Sequence, residues 1–366
     1  MRAIPDENLP DEPLLFETTF ERMSSDESKI SEQLAEVLHS IMETTFKDSG
    51  HAIRGVHAKS HGLLRGSITI LDDLPVTLCQ GVFATPGKLP VILRFSTNPG
   101  DILEDNVSTP RGLAMKIIGV EGARLPGSEG AITQDFVMLN AKAFASPTPK
   151  AFLKTLKLLA KTTDRVPRTK KALSALLRGV ERTLESVGAE SATLKSLGGH
   201  PQTHILGESF NTALPILYGL YYAKIAVVPV SSSLIALTNK VLDLSDSPDA
   251  LRDAVKEFFE QNNGVWEVRV QLGTDIEKMP IEDASVEWPE ILSPYITVAR
   301  IDVGRQSSWS EEKINEIEEK MSFSPWHGIS AHRPLGGIMR VRKPSYEMSA
   351  GFRALHNGCP IHEPRG

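Results

Sequence analysis

Residues 89–96 read LPVILRFS and residues 112–119 read GLAMKIIG, two short segments rich in residues that favour β-strands. Working outward, segments of the same kind lie at 63–70, 74–84, 134–140, 214–230, 265–273 and 295–303. Turns containing Gly, Pro, Asp or Asn separate the strands between 63 and 140. Strands that follow one another this closely predict an antiparallel sheet or barrel, and they argue against alternating βαβ units.

Helical patterns surround these strands. Between 28 and 46 the apolar residues, from Ile30 to Met42, recur every three or four positions, which predicts an amphipathic helix. Further helices are predicted at 147–198, 247–261 and 311–321. Residues 1–27 are acidic and interrupted by prolines, so we expect an extended N-terminal arm, and residues 355–366 are expected to form a C-terminal tail. Together these segments predict one α+β domain over residues 1–366.

The composition argues against several classes of protein. The 366 residues include 40 Lys+Arg and 46 Asp+Glu, and this net charge of −6 argues against binding to nucleic acid. Two cysteines, Cys79 and Cys359, are too few for a disulfide framework or a cysteine-rich zinc site. No apolar run reaches the length that spans a membrane, and the first residues do not resemble a signal peptide, so we expect a cytoplasmic protein.

A basic stretch extends from Lys150 to Arg182, with ten Lys and Arg residues against Asp164 and Glu181. Part of it, FLKTLKLLAK at 152–161, combines this charge with apolar residues at helical spacing. Such a helix can bind weakly to a membrane surface, or it can expose its lysines to water while its leucines are buried. We favour the second interpretation and keep weak membrane-surface contact through 150–182 as an alternative.

Three clusters of polar residues carry a more specific signal. The first is Arg54-Gly-Val56-His57-Ala-Lys59, at the start of the first strand. The second comprises Arg94-Phe-Ser96-Thr97, Pro110-Arg-Gly-Leu-Ala-Met-Lys116 and Asn140-Ala-Lys-Ala-Phe144. The third is Arg342-Lys-Pro-Ser-Tyr346, with Arg353 seven residues after the tyrosine. Each motif alone is a weak signal, whereas their order and separation are informative.

In this order the clusters resemble those of the haem catalases. The resemblance is close over 51–146 and 323–354 and thin over 147–310. It implies a catalase-like antiparallel β-barrel with surrounding helices and a C-terminal proximal helix. Because the chain ends about 20 residues after Tyr346, it is more similar to the short catalase-related haemoproteins. These include a minimal bacterial catalase/peroxidase group and the allene oxide synthases of corals.

The resemblance implies that the cofactor is haem b and that Tyr346 is the ligand of its iron. A phenolate ligand requires a positive neighbour, and Arg342 lies one helical turn before the tyrosine. Three further arginines match family positions that bind the haem propionates, namely Arg54, Arg94 and Arg353. Pro344 lies between Arg342 and Tyr346, so the helix either begins near this proline or is kinked there.

On the other face of the haem, the resemblance implies that His57 transfers the protons of the peroxide, a task suited to neutral imidazole. Asn140 would hold the peroxide by hydrogen bonding, and Ser96 would orient the histidine ring. Val56 precedes His57 at the haem, as in true catalases, whereas the allene oxide synthases carry a threonine there.

The resulting expectation is a haem-dependent catalase or peroxidase that decomposes hydrogen peroxide or small organic hydroperoxides through an oxoferryl intermediate. One alternative is a haem enzyme that transforms fatty-acid hydroperoxides or acts in a biosynthetic pathway. Another is a barrel that binds haem or lipid without catalysis, but such a carrier does not need His57 and Asn140 together. By the same resemblance we expect a homodimer.

Overall fold

The computed structural model describes residues 12–107, 109–163, 202–245 and 247–364. Within these ranges nine strands form one antiparallel sheet. The strands are β1 Lys59–Ile70, β2 Gly87–Thr97, β3 Arg111–Ile118, β4 Thr133–Leu139, β5 Phe210–Asn211, β6 Ile216–Tyr218, β7 Tyr221–Pro229, β8 Gly264–Leu272 and β9 Ile296–Val303.

The sheet closes into a barrel of eight strands. The ring follows the order β1-β2-β3-β4-β5-β7-β8-β9, and pairing of β1 with β9 completes it. The short strand β5 links the two halves, because it pairs with β4 on one side and with β7 on the other. β6 forms a hairpin with β7 beside the ring. The α+β class and the antiparallel barrel predicted from the sequence are therefore confirmed.

Side chains alternate along β2, and this alternation separates the barrel core from the candidate site. Leu93 and Phe95 are fully buried in the main apolar core. Arg94 and Ser96, on the opposite face of the same strand, line a cavity outside the barrel. Because successive side chains of β2 point to opposite faces, this one strand contributes both to the barrel core and to one wall of the cavity.

Helices cover the outside of the barrel. The longer ones among the described residues are α1 Glu27–Ser49, α2 Pro149–Thr163, α3 Ala250–Gln261 and α4 Gly337–His356. A single turn spans Ser232–Ile235, and a turn at Glu311–Lys313 continues as a π-helix over Ile314–Glu319. An apolar cluster that includes Leu34, Leu156 and Val341 joins α1, α2 and α4. None of the helices described is both long and apolar enough to cross a lipid bilayer.

Helix α4 runs through Pro344. The helix begins at Gly337, so the alternative that it starts near the proline is wrong. Proline removes one backbone donor and crowds the carbonyl four residues earlier, at a cost of about 3 kcal/mol in a helix interior. The helical spacing around the proline is nevertheless kept, since the side chain of Arg342 still donates a hydrogen bond to Tyr346 one turn later.

The segment 74–84 is not a strand, contrary to the prediction. The carbonyl of Pro75 accepts hydrogen bonds from the amides of Leu78 and Cys79, which folds the chain into a turn. Gly81 then adopts a positive φ of 56° at the start of a 3₁₀ turn, Gly81–Phe83. A proline that cannot donate and a glycine in the left-handed region override the β-rich composition.

One further strand prediction needs adjustment, and the interpretation of the basic stretch can be compared with the structure only over α2. The predicted strand at 214–230 is divided into β6 and β7 by a turn at Gly219, whose φ is 63°. In α2, Leu153 and Leu156 are buried, which agrees with the favoured interpretation of the basic stretch, whereas Leu158 is 56% exposed. Residues 164–198 of the predicted helical stretch lie outside the described residues, so membrane-surface contact through 150–182 stays a prediction.

Candidate active site

A cavity of about 1060 Å³ lies between β2, β3 and β4 and the helices α1, α2 and α4. Every site residue predicted from the sequence lines it, namely Arg54, Val56, His57, Arg94, Ser96, Asn140, Arg342, Tyr346 and Arg353. The barrel fold therefore brings together side chains from both ends of the sequence. The volume lies just above the ~300–1,000 Å³ range of small-molecule sites.

The backbone of His57 has a positive φ of 50°, an uncommon conformation for a residue with a side chain. Arg94 holds this turn, because its Nη2 donates to the carbonyl oxygens of His57 at 2.9 Å and Ala58 at 3.3 Å. The imidazole Nδ1 lies 3.3 Å from Ser96 Oγ. Backbone and ring are thus both held by residues of β2.

The ring of His57 also packs against the backbone of Gly112 at the start of β3. The absence of a side chain there allows this close approach. Burial, followed by the charges of Arg94 and Arg342, lowers the pKa of His57 to about 3. The imidazole is therefore neutral at physiological pH and has a nitrogen that can accept a proton.

Asn140 follows β4, and both ends of its amide are held. Oδ1 accepts from the backbone N–H of Arg111 at 3.1 Å, and Nδ2 donates to Glu208 Oε2 at 2.7 Å. Glu208 lies just after the 3₁₀ turn Ile205–Gly207 and also lines the cavity. It was not predicted, since no motif surrounds it in the sequence.

The three arginines expected to bind propionates all contact Glu318 in the π-helix, two of them through its carboxylate and one through its backbone carbonyl. Arg94 donates through Nε and Nη2 to its two oxygens, at 2.8 and 2.9 Å. Arg54 forms an ion pair with the same group. The guanidinium of Arg353 contacts backbone carbonyl groups of this part of the chain. Its Nη1 donates to the carbonyl of Glu318 at 2.8 Å and its Nη2 to that of Met321 at 3.0 Å.

Glu318 is a second site residue that the sequence analysis missed. Burial raises the pKa of its carboxyl group, but the charges of Arg54 and Arg94 and a hydrogen bond from Ser60 more than offset this and lower it to about 2. The carboxylate is therefore ionised, and with the neighbouring Glu319, which also acts on Arg54 and Arg353, two carboxylates face three guanidinium charges. The cluster retains positive charge for an anionic ligand.

Tyr346 and Arg342 form a contact across one turn of α4. Nη2 of Arg342 donates to the phenol oxygen at 2.7 Å. The guanidinium also lies near two rings of the cavity wall, 5.7 Å from the ring centre of Phe144 and 6.0 Å from that of Phe152. At these distances the rings attract the guanidinium through cation–π interactions and help to hold it near the phenol.

These residues fit a haem group. Two buried polar atoms on cavity-lining residues, Arg353 Nε and Ser345 Oγ, have no hydrogen-bond partner within the described part of the chain. Apolar side chains complete the walls, among them Leu34, Leu38, Phe152, Leu214 and Phe323. A planar apolar ligand with two carboxylates and a metal that accepts a phenolate oxygen matches this set of donors.

Comparisons with solved structures agree with the fold. A fungal catalase is 18% identical, with a TM-score of 0.56, over 87% of this chain and 65% of that protein. Catalase A from Saccharomyces cerevisiae is also 18% identical, with a TM-score of 0.60, over 85% of this chain and 63% of that protein. The chain thus spans slightly less than two thirds of each.

The chain matches no family model and no curated protein. At this identity the structural likeness establishes the fold alone, and the predicted catalase-like barrel is confirmed in that sense. The similarity to the short catalase-related branch and to the allene oxide synthases stays a prediction.

Proposed function

We propose that the chain binds haem b in this cavity and decomposes hydrogen peroxide or small organic hydroperoxides. One observation carries the proposal. The tyrosine–arginine pair of α4 and the histidine and asparagine near β1 and β4 line a single cavity, although most of the chain separates them in sequence. A structural role for each residue alone does not account for their meeting at one site.

Tyr346 would supply the iron ligand, and Arg342, at 2.7 Å from its oxygen, would stabilise the anionic phenolate. The arginine cluster would bind the two propionates, and Arg353 Nε offers a buried donor for them. When bound, haem supplies the redox-active iron on which a peroxide can be cleaved. Binding of the cofactor would thus be driven by charge at one edge and by apolar contact over its faces.

His57 and Asn140 would act on the substrate itself. A neutral imidazole would take a proton from one oxygen of the peroxide and return it to the other, and that oxygen would leave as water if the bound haem supplied the two electrons that break the O–O bond. The lowered pKa of His57 keeps its imidazole neutral at physiological pH, which is the form that can accept a proton. Asn140 would hold the peroxide, and Ser96 would keep the imidazole in position.

A second candidate is a haem enzyme that transforms fatty-acid hydroperoxides. The size and apolar lining of the cavity favour it, because an acyl chain needs such a space. The cavity also reaches the surface, since Thr238, Asn239 and Val241 line it and are exposed. The two candidates share the cofactor site and differ in substrate.

An absorption spectrum of the haem-reconstituted protein, combined with an oxygen-electrode trace after addition of H₂O₂, tests the proposal. We expect a ferric spectrum typical of tyrosine ligation and evolution of O₂. His57→Ala should retain haem and lower O₂ evolution by about a hundredfold or more. Tyr346→Phe should change the spectrum and weaken haem binding.

Tyr221→Phe, on β7 and outside the cavity lining, is the control for the removal of a phenol. A protein that stays colourless after reconstitution would disprove haem binding, and an unchanged spectrum in Tyr346→Phe would disprove the ligand assignment. Feeble O₂ evolution together with rapid consumption of a fatty-acid hydroperoxide would select the second candidate.

A further inference from the structure

Glu208 forms a hydrogen-bonded pair with Asn140 in the wall of the cavity. Its Oε2 accepts from Asn140 Nδ2 at 2.7 Å, and its Oε1 accepts from Thr203 Oγ1 at 2.8 Å. Oε1 also forms an ion pair with Arg111. Each oxygen of the carboxylate therefore serves a different set of donors.

These contacts determine which way the amide of Asn140 faces. A backbone N–H can only donate, so the atom opposite Arg111 N must be the amide oxygen. An ionised carboxylate can only accept, so the atom opposite Glu208 must be the amide nitrogen. The reverse orientation would place an oxygen against a carboxylate and an N–H₂ group against an N–H donor. Glu208 thus excludes it.

The same strand end supports both polar groups that would contact the peroxide. Arg111 holds Asn140 through its backbone and Glu208 through its guanidinium, while the next residue, Gly112, supports the ring of His57. A change at Glu208 is therefore transmitted to Asn140 over one hydrogen bond, without direct contact with the ring of His57.

We propose that Glu208 is a positioning residue that keeps the amide nitrogen of Asn140 available to a ligand at the haem, an inference that rests on the proposed function. Glutamine has the same shape as glutamate but only one side-chain oxygen, whereas Asn140 and Arg111 each contact a different oxygen of Glu208. The charge of Arg111 takes that oxygen, and the new N–H₂ group then faces the N–H₂ group of Asn140, so that the amide is no longer held in one orientation. Ligands that accept a hydrogen bond from Asn140 lose that donor.

Cyanide is the probe, since it binds ferric haem and accepts hydrogen bonds. We expect Glu208→Gln to raise its dissociation constant about tenfold, corresponding to the loss of one charge-assisted hydrogen bond, with haem content and ferric spectrum unchanged. In an Asn140→Ala background the same substitution should have no further effect, because the residue through which it acts is gone. A purely structural role would weaken cyanide binding equally in both backgrounds.

Glu267→Gln is the matched control. Glu267 is a carboxylate on β8 that accepts from Arg269 at 2.7 Å and from Thr297 at 2.9 Å, and it lies outside the cavity lining. Its replacement should leave cyanide binding unchanged. If Glu208→Gln binds cyanide as tightly as the parent protein, the inference is wrong while haem binding stands. If the parent protein binds no haem, the proposed function fails and this inference fails with it.

Discussion

Gly112 lies directly against the imidazole ring of His57. A β-carbon built on the glycine would lie 2.7 Å from Cε1 and 2.8 Å from Nδ1 of that ring. Ordinary contacts of a β-carbon are longer than 3.4 Å, so even a methyl group at this position requires the ring to move. The glycine at the start of β3 thus sets the position of the residue expected to handle protons.

Gly112→Ala should therefore displace the imidazole and lower peroxide turnover, by about a hundredfold for a shift on the order of 1 Å. Tyr346 and the arginine cluster are unchanged in this variant, so haem should still bind, and activity is compared per bound haem because Gly112 itself lines the cavity. Gly304→Ala, at an exposed glycine with nothing within 4 Å of the added carbon, is the control. Full activity of Gly112→Ala would mean that ring position does not matter for turnover.

The buried imidazole of His57 makes stability depend on pH. Its pKa is about 3 in the folded haem-free chain and near 6.5 when unfolded, so the unfolded chain binds the proton more tightly between these values. Its contribution to stability is complete above about pH 6.5 and is lost as the pH falls through this window. As the pH falls through this range, the unfolding free energy of the haem-free protein should decrease by up to about 1.4 kcal/mol per pH unit more than that of His57→Gln.

Denaturant unfolding between about pH 4.5 and pH 7.5 measures this difference. His39→Gln, at a histidine of α1 whose side chain is 44% exposed, should follow the parent protein. Equal pH slopes for the parent protein and His57→Gln would show that the ring titrates alike in the folded and unfolded chains.

Glu318→Gln should destabilise the haem-free protein by about 3–5 kcal/mol, because it leaves Arg54 and Arg94 buried without their carboxylate. Haem should recover part of this loss, since its propionates supply negative charge to the same cluster. The measurement is the unfolding free energy with and without haem. Glu316→Gln, on the same segment and half-exposed beside Arg65, should change stability by less than about 1 kcal/mol. An equal gain from haem in both variants would contradict the expected charge compensation.

Glu363, near the end of the described chain, should stabilise the fold through a buried lysine. Its Oε2 lies 2.6 Å from Nζ of Lys116, whose side chain is fully buried, and Oε1 lies 3.2 Å from His327 Nδ1. Burial raises the pKa of Glu363, but His327 and Lys116 lower it to about 2. Glu363→Gln should therefore cost about 2 kcal/mol at neutral pH.

This contribution is complete above the unfolded value of about 4.3 and should disappear as the pH falls towards 2. Thermal unfolding over that range measures it. Glu347→Gln, at an exposed carboxylate 3.7 Å from Lys343, should cost less than about 0.5 kcal/mol. If Glu363→Gln and Glu347→Gln lower the unfolding free energy equally, the contacts of Glu363 with Lys116 and His327 do not stabilise the fold.

The strands were predictable where the local signal and the tertiary environment agree. The segments around Leu93 and Leu113 are rich in β-branched and long apolar residues, and both became central strands of the barrel. Residues 74–84 have a similar composition, but Pro75 and Gly81 impose a turn that the average over the segment conceals. The barrel closes through β5, and a strand of only two residues is too short to be recognised from its sequence pattern.

The candidate site was predictable only where the residues belong to motifs. Glu318 lies in the charged segment EEKINEIEEK, which has the pattern of a solvent-exposed helix, and only the three-dimensional convergence of the arginines reveals it. Glu208 lies in a stretch with thin resemblance to the catalases, and its contact with Asn140 joins residues far apart in sequence. Both are partners of predicted residues, and such partners become visible only once the chain is folded.

Because the cavity is walled by residues as far apart in sequence as His57 and Tyr346, it is incomplete on a nascent chain that has not yet reached α4. At about 5–20 residues per second, the ribosome adds Tyr346 roughly 15–60 s after His57. A nascent barrel that lacks α4 therefore contains Arg54 and Arg94 but not Arg342, Tyr346 or Arg353. A ligand that needs the complete cavity can therefore bind only after α4 has been synthesised and has packed against α1 and α2.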